Sequence, residues 1–206
     1  MFASINLPVL DKVSATKEIL ALDHSLSFWD DYRFTQMFPL MTRTGEAGRT
    51  GTSNAVQGEF KWVSYAPRII TDWFDTVIFP WIGTKSRIMA LVTQPGVANL
   101  EHIDCNKNEL NTRQHKFRIV LQGDTSTLYF ITKEGNIRPP NIDSAFLMDG
   151  GWPHGMVNTA SEPKVTLAFG APWIGKEHYD DGDLVHHLFR NMHSMPDDLT
   201  RYWNAN

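Results

Sequence analysis

The sequence predicts a mainly β fold, a sandwich or jelly roll, with helices lying on one of its sheets. From Ser86 onward, short runs of β-branched and aromatic residues are separated by Gly, Pro, Asn or Asp, which is the pattern of short strands joined by turns. So many short strands in succession are typical of a sandwich or jelly roll. The predicted strands span residues 88–93, 100–104, 114–122, 127–132, 144–148, 155–158 and 164–170.

The segment before this β region supplies the covering helices. We expect a strand over residues 2–9, a short helix that is capped by Ser14 and runs to Leu22, and a strand over residues 59–65. Pro67 then opens a second helix, whose apolar side chains recur at helical spacing and predict packing against a sheet. These side chains are Ile69, Ile70, Trp73, Phe74, Val77 and Ile78.

Two further segments are a predicted loop and a predicted C-terminal tail. Residues 42–58 are rich in Gly and Thr and almost free of apolar side chains, which indicates a loop. The loop is either a plain surface connection or an active-site lid, and both readings remain open. The tail, residues 176–206, is expected to be helical in part because Leu184, Leu188 and Met192 lie at helical spacing.

Composition excludes several classes of protein. The 206 residues include 42% hydrophobic and 20% charged residues, which is typical of one soluble globular domain. The net charge of −4 comes from scattered charges, so no nucleic-acid partner is expected. No apolar run approaches the roughly 18 residues that cross a bilayer, so no membrane partner is expected either. The absence of a signal-like N-terminus and the single Cys105 predict a cytoplasmic protein.

The chemistry-bearing motif is His102-Ile103-Asp104 with His154 further along the chain. Two imidazoles and one carboxylate are the ligand set that holds a non-haem Fe(II) on one face and leaves its other positions open. Residues i and i+2 of a strand point to the same side, so His102 and Asp104 can reach one metal together, while His154 arrives from a distant strand. We therefore predict a metal site formed by His102, Asp104 and His154.

Two strands carry cations on one face only. Residues 116–122 place Phe117 on one face and Lys116 and Arg118 on the other. Residues 164–170 likewise separate Phe169 from Lys164. A sheet with one wet face would show the same alternation. We favour the reading in which the apolar faces pack outward on helices and the cations line the mouth between the sheets.

These residues resemble the Fe(II)/2-oxoglutarate-dependent dioxygenases, in particular the small members similar to aspartyl/asparaginyl hydroxylases and proline hydroxylases. The H-x-D…H triad followed ten positions later by a basic residue carries the resemblance, which covers about residues 86–173. Lys164 stands where the aspartyl-hydroxylase-like branch commonly has Arg, and Lys116 and Arg118 match its R-x-H pair. The resemblance implies a double-stranded β-helix (jelly roll) with flanking helices on one sheet. The single domain would then have its core at about 86–173, an N-terminal cover at 1–85 and a helical tail at 176–206.

The resemblance also implies the cofactors, which are Fe(II), 2-oxoglutarate as cosubstrate, and O2. Lys164 and Thr166 share one strand face and offer an ammonium and a hydroxyl to the distal carboxylate of 2-oxoglutarate. Arg118 is the rival for that carboxylate, or holds a carboxylate of the substrate. Lys116 and Trp152 are predicted to line the substrate pocket. The carboxylate of Asp104 favours hydroxylation or desaturation, because related halogenases lack it.

The expected function is hydroxylation of a C–H bond in a small molecule, an amino acid or a derivative, with release of succinate and CO2. Two alternatives stay open: hydroxylation of a residue in a peptide, and a non-catalytic metal-binding module of jelly-roll or cupin-like type. Cupin sites usually use more histidines, and this chain offers no H-x-H pair.

Overall fold

A computed structural model describes residues 2–5, 7–30, 34–43, 45, 59–82, 85–104, 115–143, 145–170 and 194–203. The greater part of the predicted loop at 42–58, Cys105 and the greater part of the predicted tail lie outside these residues, so the lid interpretation stays a prediction. Among the described residues, no helix has both the length and the apolar character needed to cross a bilayer.

Two antiparallel sheets form the body of the described chain. The larger sheet has the strand order β1-β10-β7-β12-β5-β3-β2, with β4 paired to β3, and the smaller one has the order β6-β11-β8-β9. The strands are β1 (Phe2–Ile5), β2 (Phe28–Asp30), β3 (Thr35–Thr42), β4 (Lys61–Trp62), β5 (Ile88–Thr93), β6 (Ala98–His102), β7 (His115–Gln122), β8 (Leu128–Thr132), β9 (Gly135–Ile137), β10 (Ala145–Asp149), β11 (His154–Val157) and β12 (Lys164–Gly170).

The mainly β, jelly-roll prediction is confirmed, and all seven strands expected after Ser86 are present with shifted ends. The strands interleave between the sheets, so neighbours in the sequence are often not neighbours in a sheet. In the larger sheet, β7 pairs with both β10 and β12, and β12 pairs with β5. This order places β7 and β12, the two strands that carry cations on one face, next to each other.

Helices cover the outer face of the larger sheet. The predicted second helix comprises α2 (Arg68–Trp73), a π-helical turn (Phe74–Ile78) and α3 (Phe79–Ile82). Phe74 meets Phe169 with ring centroids 4.9 Å apart, and Trp81 meets Phe117 at 5.9 Å. The apolar faces of β7 and β12 thus pack outward against helices, as predicted, and their cationic faces turn inward.

The N-terminal predictions need several corrections. Helix α1 (Lys12–Leu20) is capped by Asp11, whose carboxylate accepts the backbone N–H of Ser14, so Ser14 itself is not the cap. The strand expected at 59–65 is reduced to β4. Two strands were missed, β2 and β3, and they extend the larger sheet beyond β5.

A short C-terminal segment packs against the smaller sheet. Helix α4 (Thr200–Trp203) follows buried Met195 and Leu199, and the side chain of Tyr202 is also buried. The backbone N–H of Lys133 donates to the carbonyl of Ser194 at 2.9 Å, which ties this segment to the end of β8. The segment therefore belongs to the same core as the sheets.

Candidate metal centre

His102 and His154 face each other across two neighbouring strands of the smaller sheet. His102 ends β6, His154 begins β11, and the two residues are direct partners in the register. Their ring centroids are 4.5 Å apart and both side chains are buried. The strand pairing therefore brings together two imidazoles that are far apart in the sequence.

Asp104 completes the group. Its Oδ1 lies 3.5 Å from His102 Nε2, and its Oδ2 lies 3.5 Å from His154 Nε2. One ligand atom from each of the three residues lies within 4.8 Å of the others. The three residues that the sequence singled out are thus brought to one point.

Hydrogen bonds orient both rings toward that point. His102 Nδ1 lies 2.7 Å from the carbonyl of Leu100, and His154 Nδ1 lies 2.7 Å from the carbonyl of Trp152. A carbonyl only accepts, so each Nδ1 carries the proton and each Nε2 keeps its lone pair for the centre. Burial, reinforced by the neighbouring His102, lowers the pKa of His154 to about 4. This imidazole is therefore neutral and able to bind a metal at physiological pH.

The position of Asp104 is set by backbone contacts rather than by strand pairing. Strand β6 ends at His102, so the expectation of one continuous strand through Asp104 was wrong. The N–H of Asp104 donates to the carbonyl of Gly150 at 2.8 Å, and the N–H of Ile103 donates to that of Tyr202 at 3.2 Å. These bonds turn the chain away from the sheet ladder while keeping the carboxylate on the side of His102.

Gly150 is a site residue whose role the sequence reading missed. A Cβ at this position would lie 3.0 Å from the Cβ of Asp104 and 3.4 Å from the Cε of Lys116. Only glycine lets both side chains come so close to the turn before His154. The sequence does show two glycines, Gly150 and Gly151, after Asp149, but this pair predicts only a turn.

Two cations of β7 adjoin the carboxylate. Lys116 Nζ lies 2.8 Å from Asp104 Oδ2, and Arg118 places its guanidinium 4.0 Å from the same oxygen. Both side chains are largely buried, at 13% and 15% exposed. Lys116 therefore contacts the metal-binding group directly, and Arg118 lies one step further along the same face of the sheet.

Lys164 lies deeper between the sheets, at the start of β12. Its ammonium donates to the carbonyl of Asp124 at 3.0 Å and to the hydroxyl of Thr127, on the chain that leads into β8. Burial lowers the pKa of Lys164 to about 8; the nearby Asp124 opposes this shift and Arg118 adds to it. Thr166 follows on the same strand face, opposite Val120 of β7. Arg118 is thus close enough to influence both Asp104 and Lys164.

Trp152, expected in the wall of the substrate pocket, has a different position. Its side chain has no exposed surface and packs in the main hydrophobic core, where Nε1 has no hydrogen-bond partner among the described residues. Its contribution to the site is its backbone carbonyl, which accepts the Nδ1 proton of His154. The pocket-wall interpretation overlooked that the tight turn before β11 folds this side chain into the core.

The donor set fits a divalent first-row metal. Two imidazole nitrogens and one carboxylate are the facial set of non-haem Fe(II) sites. Both imidazoles are buried and held by hydrogen bonds to backbone carbonyls, and the side chain of Asp104 is only 5% exposed. A metal would have to share or displace the ion pair of Lys116 with Asp104 Oδ2. The geometry thus supports a metal centre with a cationic wall on one side.

Comparison with known proteins finds likeness in structure only. No protein-family model matches the chain, and no curated protein matches it in sequence. HygX from Streptomyces hygroscopicus, solved with nickel and 2-oxoglutarate bound, superposes with a TM-score of 0.52 at 10% identity over 82% of this chain and 83% of its own. A Pseudomonas putida prolyl-4-hydroxylase gives 0.49 at 13% identity, over 85% and 92% of the two chains. A 2OG-Fe(II) oxygenase-family protein from Burkholderia pseudomallei gives 0.49 at 10%, over 77% and 76%.

At such identities the likeness concerns the fold. The fold is the one that the H-x-D…H motif implied, and the matched structures include one that holds both a metal and 2-oxoglutarate. The chain therefore has a double-stranded β-helix (jelly-roll) fold, the fold that the sequence predicted.

Proposed function

We propose that this protein is an Fe(II)/2-oxoglutarate-dependent oxygenase that hydroxylates a C–H bond of a small molecule, an amino acid or a derivative. One atom of O2 enters the substrate as a hydroxyl group and the other enters the succinate formed from 2-oxoglutarate, with release of CO2. The observation that carries the proposal is the convergence of His102, Asp104 and His154 within 4.8 Å beside inward-facing cations.

Each part of the site has a distinct task. His102, Asp104 and His154 would hold Fe(II), which when bound supplies the activation of O2. Lys164 and Thr166 would bind the distal carboxylate of 2-oxoglutarate. An ammonium has three N–H donors, and contacts with the described residues use two of those on Lys164, so the third can donate to a ligand. The buried position of Lys164 keeps water from weakening that contact.

The first alternative function is that of a metal-binding module, cupin-like or otherwise, that has no catalytic activity. It would need the same three ligands but would have no use for the buried ammonium of Lys164. A peptide substrate is a second alternative. The cytoplasmic location and the single-domain organisation with its 86–173 core remain part of the proposal.

The test is anaerobic binding followed by turnover. Fe(II) and 2-oxoglutarate added together without oxygen should give a weak visible charge-transfer band, and neither component alone should give it. Exposure to O2 should then produce succinate, and a screen of free amino acids and their derivatives should identify compounds that stimulate its formation. A protein that binds Fe(II) without the band and forms no succinate would be the non-catalytic module.

A further inference from the structure

Both cations of β7 approach the same oxygen of Asp104. Lys116 Nζ lies 2.8 Å from Oδ2, and the guanidinium of Arg118 lies 4.0 Å from this oxygen. The imidazoles, in contrast, divide between the two oxygens: Oδ1 lies 3.5 Å from His102 Nε2, and Oδ2 lies 3.5 Å from His154 Nε2. The ion pair with Lys116 therefore distinguishes two oxygens that are equally close to the candidate metal ligands.

The position of Lys116 is set by the middle of the larger sheet. Strand β7 lies between β10 and β12, and Lys116 is opposite Met148 on one side and Gly170 on the other. The side chain of Lys116 is 13% exposed and that of Asp104 is 5% exposed, so little water competes with their contact. The removal of one partner from such a buried pair leaves the other charge uncompensated, which is unfavourable. This ion pair is therefore costly to break.

Gly150 makes room for the same contact. A Cβ at this position would lie 3.0 Å from the Cβ of Asp104, 3.4 Å from the Cε of Lys116 and 3.5 Å from Asp104 Oδ2. The carbonyl of Gly150 also accepts the N–H of Asp104 at 2.8 Å. Gly150 thus holds the backbone of Asp104 and leaves space beside the carboxylate for the lysine side chain. A hydrogen bond and a missing side chain favour the same ion pair.

A metal ion can share this carboxylate with Lys116. A carboxylate has two oxygens and about four lone-pair positions, so an ammonium on Oδ2 leaves donor capacity for a metal. If the metal displaced Lys116, a largely buried ammonium would lose an anionic partner. Sharing avoids that cost. It also keeps one more position of the metal open for ligands than chelation by both oxygens of Asp104 would.

We propose that Lys116 is a positioning residue of the metal centre, which retains Oδ2 of Asp104 and so makes this carboxylate a metal ligand through Oδ1 alone. The inference rests on the metal-binding part of the proposed function. It gives Lys116 a role at the metal ligand instead of the one in the substrate pocket that the sequence predicted. The ammonium is also a positive charge beside the metal, so Lys116 weakens metal binding relative to a neutral side chain.

The binding mode of Asp104 can be measured with Zn(II) alone. Infrared difference spectra are recorded between the metal-free and the Zn(II)-loaded protein, with aspartate labelled by 13C at its carboxylate. The separation between the asymmetric and symmetric carboxylate stretches is wide when one oxygen binds a metal and narrow when both oxygens bind it. We expect a wide separation in the wild type. A narrow separation there would overturn the proposal without the need for any variant.

Variants of Lys116 test its part in this binding mode. Lys116→Met removes the charge and keeps an unbranched side chain, so both oxygens become available and the separation should become narrow. Competition with a chromophoric chelator should show that this variant binds Zn(II) about tenfold or more tightly, because the competing cation is gone and the metal-free carboxylate has lost a partner. Lys116→Arg should restore the wide separation and the weaker binding. Lys133→Met is the matched control, since Lys133 is a partly exposed lysine that pairs with Asp197, and it should behave as the wild type.

Several results would overturn the proposal. These are an unchanged separation in Lys116→Met, a Zn(II) affinity in this variant that is unchanged or lower, and an absence of Zn(II) binding by the wild type. The oxygenase fails in a different way. A protein that gives the expected spectra and affinities but forms no succinate would keep the role of Lys116 and refute the oxygenase. Succinate formation by a wild type with a narrow separation would refute only the role of Lys116.

Discussion

Replacement of Lys164 by Ala tests the assignment of the 2-oxoglutarate anchor. Within the described part of the chain, the Lys164 ammonium uses two N–H groups, and we assign the third to the distal carboxylate. The loss of a charge-assisted hydrogen bond in a buried site costs roughly 1.5–3 kcal/mol, so the Michaelis constant for 2-oxoglutarate should rise about ten- to a hundredfold. Succinate formation at varied 2-oxoglutarate concentration measures this directly.

Two comparison variants make the result specific. Lys164→Arg restores a cation and should recover part of the affinity. Lys133→Ala removes a partly exposed lysine that pairs with Asp197 on the surface, and it should leave the Michaelis constant unchanged. An unchanged 2-oxoglutarate dependence in Lys164→Ala, together with a large increase in Arg118→Ala, would show that the anchor lies on β7. If Arg118 holds the substrate instead, Arg118→Ala should keep uncoupled 2-oxoglutarate decay while it loses hydroxylation.

The pH dependence of cosubstrate binding provides an independent check. Burial lowers the pKa of Lys164 to about 8, and only the protonated form can bind a carboxylate as an ammonium. The affinity for 2-oxoglutarate should therefore begin to decline as the pH rises through about 8, and the decline should end only above the higher pKa that Lys164 has when the bound dianion favours its charged form. Titration of binding between pH 7 and 10 in the wild type and in Lys164→Arg measures it, since arginine stays charged over this range.

Three other predictions concern the metal centre and its surroundings. His154→Ala, like His102→Ala, should abolish Fe(II)-dependent turnover in a protein that still folds, and unchanged turnover with full metal content would contradict the ligand assignment. Gly155→Ala should destabilise the protein by roughly 1–3 kcal/mol, because the new Cβ would lie 2.6 Å from the hydroxyl of Tyr129; an unchanged melting temperature would refute this. If the loop at 42–58 is a lid, limited proteolysis should cut it less readily once metal, cosubstrate and substrate are bound, whereas equal cleavage would leave it a surface connection.

Local patterns in the sequence were sufficient for most of the β region but not for β3. The inward and outward faces of β7 and β12 alternate cleanly, so their strands and their helix-facing sides could be predicted. Strand β3 is buried at all eight positions and contains Pro39, which argues against a strand in the middle of a sheet. A register shift between Pro39 and Met41 lets β3 pair with β5 despite this proline. The shift depends on the partner strand, so the local sequence of β3 does not predict it.

The same limit applies to the site. The three candidate ligands could be predicted from residue type and spacing, and the structure brings them together. The ion pair between Lys116 and Asp104 could not be predicted in this way. It joins β7 of the larger sheet to a residue that lies beyond the end of β6 in the smaller sheet. The turn at Asp104 depends equally on Gly150 and Tyr202, whose carbonyls are supplied by distant parts of the chain.

We expect the hydrogen bond from Ile103 to the carbonyl of Tyr202 to affect the order in which the site assembles during synthesis. The N–H of Ile103, the residue next to Asp104, donates to a carbonyl in a segment that is made long after His154. Until that segment leaves the ribosome, the Ile103 amide lacks this acceptor, and burying it unpaired would be unfavourable. The nascent chain can therefore form its sheets before it can fix the carboxylate in place, and full metal affinity is expected only once translation has passed Tyr202.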